Sequence, residues 1–302
     1  MNNFYKNKSV LVTGGAGFIG SHLAEKLVNL GAKVNLLDNF SSGSEANIKP
    51  FVSKIKLFKD DIRNESACDK SSRQVDIIFH LAAMVSVPKS IQNQSECWDI
   101  NVMGTFNILS WAVKHNVKKF ILSSSSAVYG DQELPCDESD TPNPKSPYAD
   151  SKLQAEKFCA DFAQKYKLNT AALRYFNVYG PRQNPNGDYA AVVAKFTELL
   201  KNDKHLVIFG DGKQTRDFVE VQEVVNANLA MGMEESFFGE IVNVGCGYSI
   251  NIFELIEMLE NKLNKKHTGI IFKPARNGDI LNSSAICEKY ENIKQKYPQL
   301  QI

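Results

Sequence analysis

The stretch Thr13-Gly14-Gly15-Ala16-Gly17-Phe18-Ile19-Gly20 decides the fold. An apolar run, Val10-Leu11-Val12, leads into it. Leu23, Leu27 and Leu30 come next on one helical face, and Gly31 stands where that helix should close. Glycines at 14, 17 and 20 give the spacing GxxGxxG. Glycine at these points permits a tight turn, lets backbone amides approach a phosphate group and lets the helix pack close to the strand. The helix N-terminus then faces an anion. Taken alone, the glycines are equally an ordinary turn. The next strand favours a dinucleotide. Asp38 ends its apolar run, 33–37, and lies 18 residues after Gly20, where an acid meets the adenosine ribose hydroxyls. A carboxylate there repels a 2′-phosphate, and no arginine stands in Asn39-Phe40-Ser41-Ser42-Gly43, so these residues read as a site for NAD rather than NADP.

Further along, apolar runs at 55–58, 75–81, 120–122, 171–176 and 241–244 alternate with helical patterns at 102–115 and 146–167. Strands separated by helices imply right-handed crossovers and a parallel sheet covered on both faces, a Rossmann-type doubly wound α/β fold. Asp61 and Ile62 come after the third strand and are placed to meet the adenine; a helix N-cap is an equal reading of Asp61. Past Asn177 the punctuation in GPRQNPNGD, a helix at 190–201, a strand at 206–209 and a mixed tail at 251–302 suggest a smaller, interleaved lobe. The expected division is 1–177 plus about 216–249 for the cofactor, and about 178–215 plus 250–302 for the substrate.

Composition removes several functions. The 302 residues carry 35 Lys plus Arg against 34 Asp plus Glu, a net charge of +1, which suits neither nucleic acid nor an anionic membrane. Hydrophobic residues at 43% supply a sizeable core. No apolar run approaches the ~18 residues of a membrane helix, and no signal-peptide core precedes Gly14. Cys68, Cys97, Cys136, Cys159, Cys246 and Cys287 are too scattered for a CxxC motif and read as free thiols in a cytoplasm. Five histidines without an HxxxH or HExxH pattern imply no metal site.

Tyr148-Ala149-Asp150-Ser151-Lys152 places a phenol and an amine at i and i+4 on one helical face. Tyrosine, with a pKa of ~10, is a poor base at neutral pH. An ammonium and a positively charged nicotinamide nearby would favour the phenolate. The bare pattern is weak: Tyr290 and Lys294 repeat it in a charged terminal segment, and no chemistry is assigned there. The copy at Tyr148 comes after the fifth strand and its run Ser123-Ser124-Ser125-Ser126, at the carboxyl edge where parallel sheets bind ligands.

With Val128-Tyr129-Gly130 and Arg174-Tyr175-Phe176-Asn177, these motifs resemble the extended short-chain dehydrogenase/reductase family over nearly the whole chain. More narrowly, the chain is similar to NAD-dependent nucleotide-sugar 4-epimerases of the UDP-glucose and UDP-N-acetylglucosamine type. The resemblance implies that Tyr148 takes the sugar 4-hydroxyl proton, Lys152 holds the nicotinamide ribose and Ser125 binds the 4-oxygen. NAD would take a hydride from C4 and return it to the other face of a 4-keto sugar. Further cofactor contacts are implied at Leu81, Ala82, Ala83, Asn101, Ser123 and Tyr175. On the substrate side it implies Ser86, Val87 and Ser126 along the sugar, and Asn177, Arg216 and Arg276 on the diphosphate. Val207, Phe209 and Asp279 would serve the uridine. Ser283 stands where a bulky tyrosine in relatives restricts the C2 substituent, so serine leaves space for an N-acetyl group. Gln183 faces that group or is a plain loop residue.

Two departures are Glu220 and Gln222, where the family usually has an aromatic or histidine and an aspartate. Ser126 and Ala127 stand where related 4,6-dehydratases carry an Asp-Glu pair, and decarboxylases place a Glu at Ala127. Alanine moves no proton, so both lose ground. A UDP-glucuronate 4-epimerase needs no such group and stays open. A non-catalytic NAD-binding regulator would not need Ser125, Tyr148 and Lys152 together. Helices 102–115 and 146–167 look like the family's four-helix dimer interface, which implies a homodimer.

Overall fold

The computed structural model describes residues 4–185, 192–275 and 282–300. The first part alternates β1 (Ser9–Thr13), α1 (Phe18–Asn29), β2 (Lys33–Asp38), α2 (Glu45–Ile48), β3 (Ile55–Lys59), α3 (Glu65–Ser72) and β4 (Ile77–His80). After β4 come α4 (Val87–Gln92), α5 (Gln94–Trp98), α6 (Gly104–Lys114), β5 (Lys119–Ser125), α7 (Pro147–Tyr166) and β6 (Asn169–Tyr175). The remainder holds β7 (Asn177–Tyr179), α8 (Val192–Lys201), β8 (Leu206–Phe209), β9 (Thr215–Arg216), β10 (Phe218–Glu220), α9 (Val221–Met233) and β11 (Glu240–Val244). It ends with β12 (Ile250–Asn251), α10 (Ile252–Leu263), β13 (Ile270–Lys273) and α11 (Glu288–Lys296).

The central sheet runs β3-β2-β1-β4-β5-β6-β11, all parallel. The chain winds outward from β1 to β3, then returns and winds the other way from β4, so a crevice opens at the carboxyl ends of β1 and β4. Alternation sends Val10 and Val12 to one face and Leu11 to the other. The first face, with Val12 and Phe79, packs on Leu23 and Leu27 of α1 and on Val224 and Leu229 of α9. The second, with Ile78 and Phe120, packs on Leu109 of α6 and Phe162 of α7. A smaller core joins Phe196 of α8, Ile208 of β8 and Leu255 and Ile256 of α10.

Local chemistry explains the key helices. Gly31 takes φ +80° just past the end of α1. Ser146 Oγ caps α7 by accepting from the Ala149 amide, and Pro147 occupies its first turn. Lys152, Ala155, Glu156, Cys159 and Ala163 form the buried stripe of α7, which turns that face toward β5. The helix expected at 102–115 is preceded by a π-helical turn, Asp99–Met103, and α6 continues directly from it. Helix α9 has no sequence signal of one-sided burial, because it is enclosed on nearly all sides. The tail also differs from the expected division: Tyr290, Ile293 and Leu300 pack into the first core, with Val10 and Leu23, and not into the smaller one. Among the described residues, no helix is long and apolar enough to cross a membrane, and no cluster of His, Cys, Asp and Glu could hold a metal.

Candidate active site

Strand β1 passes into α1 at the crevice. Gly14 has φ +66°, and a Cβ on it would lie 2.7 Å from the Ala82 amide nitrogen, so the ends of β1 and β4 meet only over glycine. Gly20 is as confined, since its Cβ would come within 2.2 Å of the Gly14 carbonyl oxygen. Gly17 caps α1 without any side-chain acceptor, and the first turn carries no acid. The Phe18 and Ile19 amides therefore open the helix facing the crevice, as a pyrophosphate requires. Asp38 accepts from the Ala16 amide at 2.8 Å and the Phe40 amide at 2.7 Å. Burial raises its pKa and these two amides oppose the rise. A carboxylate has about four acceptor positions, so Asp38 can still receive ribose hydroxyls. A Cβ on Gly43 would come within 3.0 Å of its Oδ1, and glycine leaves that space clear. Ser42 is exposed beside it. These features fit NAD.

The adenine end needs two corrections. Asn39 Nδ2 donates to Asp61 at 2.7 Å across the ends of β2 and β3. Arg63 grips the same carboxylate and holds its pKa down to about 2. Asp61 is not a helix cap; Asn64 caps α3, accepting from the Ser66 amide at 3.0 Å. The Ile62 side chain lies under Gly104 in the second core, not in the cleft.

A hydrogen-bonded chain with no motif in the sequence sets the loop after β4. The Leu81 and Ala82 amides donate to Thr13 Oγ1, whose hydroxyl meets His80 Nδ1 at 2.8 Å. His80 Nε2 meets Thr105 Oγ1 at 2.9 Å, and the Thr105 hydroxyl donates to the Asn101 carbonyl at 2.6 Å. Since that proton is committed, Nε2 must carry the imidazole hydrogen and Nδ1 must accept, which defines a neutral tautomer. Burial, helped by the Lys152 charge, lowers the His80 pKa to about 3. Asn101, expected to touch the cofactor, is only 2% exposed. Its amide oxygen accepts from the Met84 amide at 2.7 Å, and Nδ2 donates to the Met84 carbonyl at 3.0 Å and Ser151 Oγ at 2.9 Å. It therefore holds the loop carrying Ala83, rather than lining the cleft. That loop ends at Ser86, which caps α4, with Val87 and Pro88 opening the helix.

Tyr148, Lys152 and Ser125 come together at the carboxyl end of β5. The Ser125 hydroxyl faces the Tyr148 hydroxyl. Lys152 Nζ donates to the Ser123 carbonyl at 2.8 Å and lies 6.0 Å from the Tyr148 ring centre. Burial raises the Tyr148 pKa, with Ser125 opposing. Burial lowers Lys152 to about 8, against the charges of Cys97 and Glu156. The protein's own ammonium thus does not outweigh burial of the phenol, contrary to the simplest reading of the pattern. Ser126 is half-buried in the turn after β5. Tyr175 lies beneath this site, in the first core, where Asn228 Nδ2 donates to its hydroxyl at 2.7 Å. Its side chain forms a floor beneath the site.

On the substrate side, Asn177 donates through its amide and Nδ2 to the Asp217 carbonyl, at 2.9 and 3.2 Å. The buried Asp217 carboxylate accepts from the amides of Cys246, Gly247 and Ala285. The Thr215 carbonyl accepts from Arg216 Nη1 at 2.9 Å and from the Ser283 amide at 3.1 Å. Asp217 therefore draws Asn177, Arg216 and Ser283 to one place, a role readable in the sequence only as adjacency to Arg216. Gln183 Nε2 donates to the Val178 carbonyl at 3.0 Å, in a loop tied to α1 by His22 on the Pro181 carbonyl and by Arg182 on Glu25. Val207 and Phe209 alternate along β8 and are half-buried. Arg276 and Asp279 lie outside the described residues.

Comparison with known proteins agrees with this geometry. The model of the NAD dependent epimerase/dehydratase family matches residues 10–245. A UDP-glucose 4-epimerase of Mycolicibacterium smegmatis is 36% identical, over 97% of this chain and 94% of its own. The structure of UDP-N-acetylglucosamine 4-epimerase from Methanobrevibacter ruminantium M1, in complex with UDP-N-acetylmuramic acid, superposes with a TM-score of 0.91 at 36% identity, covering 98% of this chain and 96% of that one. UDP-glucose 4-epimerase of Thermus thermophilus in complex with NAD gives 0.86 at 33% identity, covering 94% and 92%. A glycine-lined crevice at the sheet reversal, a serine–tyrosine–lysine cluster beside it and a family match spanning both place this chain in the NAD dependent epimerase/dehydratase family.

Proposed function

We propose that the protein interconverts C4 epimers of a UDP-hexose, UDP-GlcNAc with UDP-GalNAc and UDP-Glc with UDP-Gal. The observation that carries this is the cluster of Ser125, Tyr148 and Lys152 at the sheet edge, with no further acid or base at Ser126 or Ala127. A redox-neutral inversion needs one proton-transfer group, whereas elimination or decarboxylation on the same sugar needs another. NAD, when bound, supplies the hydride acceptor and donor for C4. Tyr148 takes the 4-hydroxyl proton and later returns one to the same oxygen. Ser125 holds that oxygen in line with the phenol. Lys152 orients the nicotinamide ribose, and its charge favours the phenolate. Arg216, with Asn177 and Arg276, holds the diphosphate through the planar fork that suits phosphate oxygens. The solved relative named for UDP-N-acetylglucosamine supports an N-acetylated substrate, as does the small Ser283.

Separate incubation with UDP-GlcNAc, UDP-Glc and UDP-glucuronate, with product separation, tests the reading. Turnover of the first two is expected; conversion of UDP-glucuronate alone would transfer the assignment to the uronate epimerase. Overpacking costs about 1–3 kcal/mol, so Ser283→Tyr should cut kcat/KM for UDP-GlcNAc by about tenfold or more while UDP-Glc turnover survives. The protein acts as a homodimer through α6 and α7, whose outer face carries Phe106 and Tyr166 exposed, with Met103 just before α6 and Phe106 edge-on to Phe158 and Phe162. Phe106→Glu should give monomers by light scattering.

A further inference from the structure

The ion pair of Arg174 on β6 with Glu156 on α7 is, among those described, the one with both side chains out of water, at 1% and 2% exposure. The grip is bidentate, Arg174 Nε to Oε1 at 3.0 Å and Nη2 to Oε2 at 2.8 Å. Burying both ions costs desolvation that apolar packing avoids, so the pair is weak evidence for a stabilising role alone. Its surroundings indicate another task. Ser124 Oγ donates to Glu156 Oε1 at 2.5 Å. Ser124 sits between Ser123, whose carbonyl receives Lys152, and Ser125, whose hydroxyl meets Tyr148. Glu156 lies one helical turn beyond Lys152 and two beyond Tyr148, on the same stripe of α7. Ser123 and Ser124 of β5 are thus each fastened to α7, and Ser125 faces it.

The charges around Lys152 give Glu156 a second effect. Tyr148 and Glu156 face it from α7, Cys97 from α5, His80 from β4 and the Ser123 carbonyl from β5. His80 is neutral in its hydrogen-bonded chain, and burial raises the Cys97 and Tyr148 pKa values. Glu156 is the carboxylate in this set, and Arg174 grips it from the far side. We infer that Glu156 is a positioning residue for the reaction, locking the end of β5 to α7 and setting a negative charge one helical turn from Lys152.

The inference rests on Tyr148 as the base, so Tyr148→Phe belongs in the same set. The measurement is kcat and KM for UDP-Glc against pH, on the holoenzyme. Glu156→Gln removes the anion and leaves Arg174 uncompensated. The alkaline limb of kcat should move to lower pH by about one unit, with KM unchanged. Glu156→Asp keeps the charge and should restore the limb. Ser124→Ala cuts the clamp without changing charge and should lower kcat by roughly 10–100-fold at an unmoved limb. A Glu156→Gln profile of wild-type shape overturns the inference, and so does an unchanged kcat in Ser124→Ala. If Glu156→Gln does not fold, Ser124→Ala decides alone. An active Tyr148→Phe removes the base assignment itself; an inactive one beside an unshifted Glu156→Gln removes only the role of Glu156.

Discussion

Tyr148 and Lys152 on α7 share their spacing with Tyr290 and Lys294 on α11, and the internal geometry is nearly the same. The ammonium lies 6.0 Å from the ring centre in the first pair and 5.8 Å in the second. What differs is the third group. Tyr148 faces the Ser125 hydroxyl at the crevice, and Lys152 binds a neutral carbonyl. Tyr290 donates to the Glu223 carboxylate at 2.9 Å, and Lys294 meets the same carboxylate at 2.6 Å. Burial and then that carboxylate push the Tyr290 phenol far above its usual range. Burial pulls Lys294 down, but hydrogen bonding and charge from Glu223 outweigh it and its pKa is raised. Lys152 has no carboxylate in contact, and burial brings it to about 8. The i, i+4 spacing makes two side chains neighbours; the group they face decides whether the pair does chemistry or fastens a helix.

The comparison breaks most directly on the phenols. Tyr148→Phe should lower turnover by ~10²–10⁴-fold, the range for a lost acid–base group, while Tyr290→Phe leaves turnover intact. Equal losses in steady-state assays would erase the distinction between the pairs. The amines sharpen it by the sign of a stability change. Lys152 is a buried ammonium without a contacting carboxylate, so Lys152→Met should raise unfolding free energy at neutral pH by about 1–3 kcal/mol while abolishing function. Lys294→Met breaks an ion pair and should lower it. Urea titrations of both variants give the two signs.

The same amines differ in their pH response. The folded-state pKa of Lys152 lies below its unfolded value, so its penalty is full below about 8 and fades as pH rises toward ~10.4. The stability gained by Lys152→Met should therefore shrink between these values. Lys294, with a raised pKa, supports the fold fully below ~10.4 and loses that support only above it. A gain from Lys152→Met that stays constant across this window would mean that burial does not govern that lysine. The smallest effect belongs to Tyr290→Phe, which removes one hydrogen bond to Glu223 and should cost about 1 kcal/mol in the same titrations.

Much of the nucleotide half is legible along the chain. The glycine spacing, the acid after the second strand and the buried apolar run of β1 each arise from short-range geometry, and each stands where the sequence puts it. Resemblance places Asn101 and Tyr175 at the cleft, and its position after the third strand places Ile62 there, yet their side chains serve the loop or the core. The reason is directional: resemblance locates a backbone beside a ligand but does not say which way the side chain turns. Asp217 and the His80 chain leave no mark beyond ordinary residues in ordinary places, since their partners lie far away in sequence.

By itself, the sequence determined where strands turn into helices, that the sheet is parallel and that a phosphate-bearing cofactor meets the first turn. All of these depend on spacings of two to four residues and on the steric needs of glycine. Only the tertiary structure decided which tyrosine meets a serine and which a carboxylate, that α11 closes the nucleotide core and that Glu156 sits against Arg174 and Ser124. Those outcomes depend on contacts such as the Tyr5 hydroxyl on the Leu229 carbonyl at 2.6 Å, across 224 positions of chain. Electrostatic environment is a property of what folding brings within a few ångströms, and no local pattern encodes it.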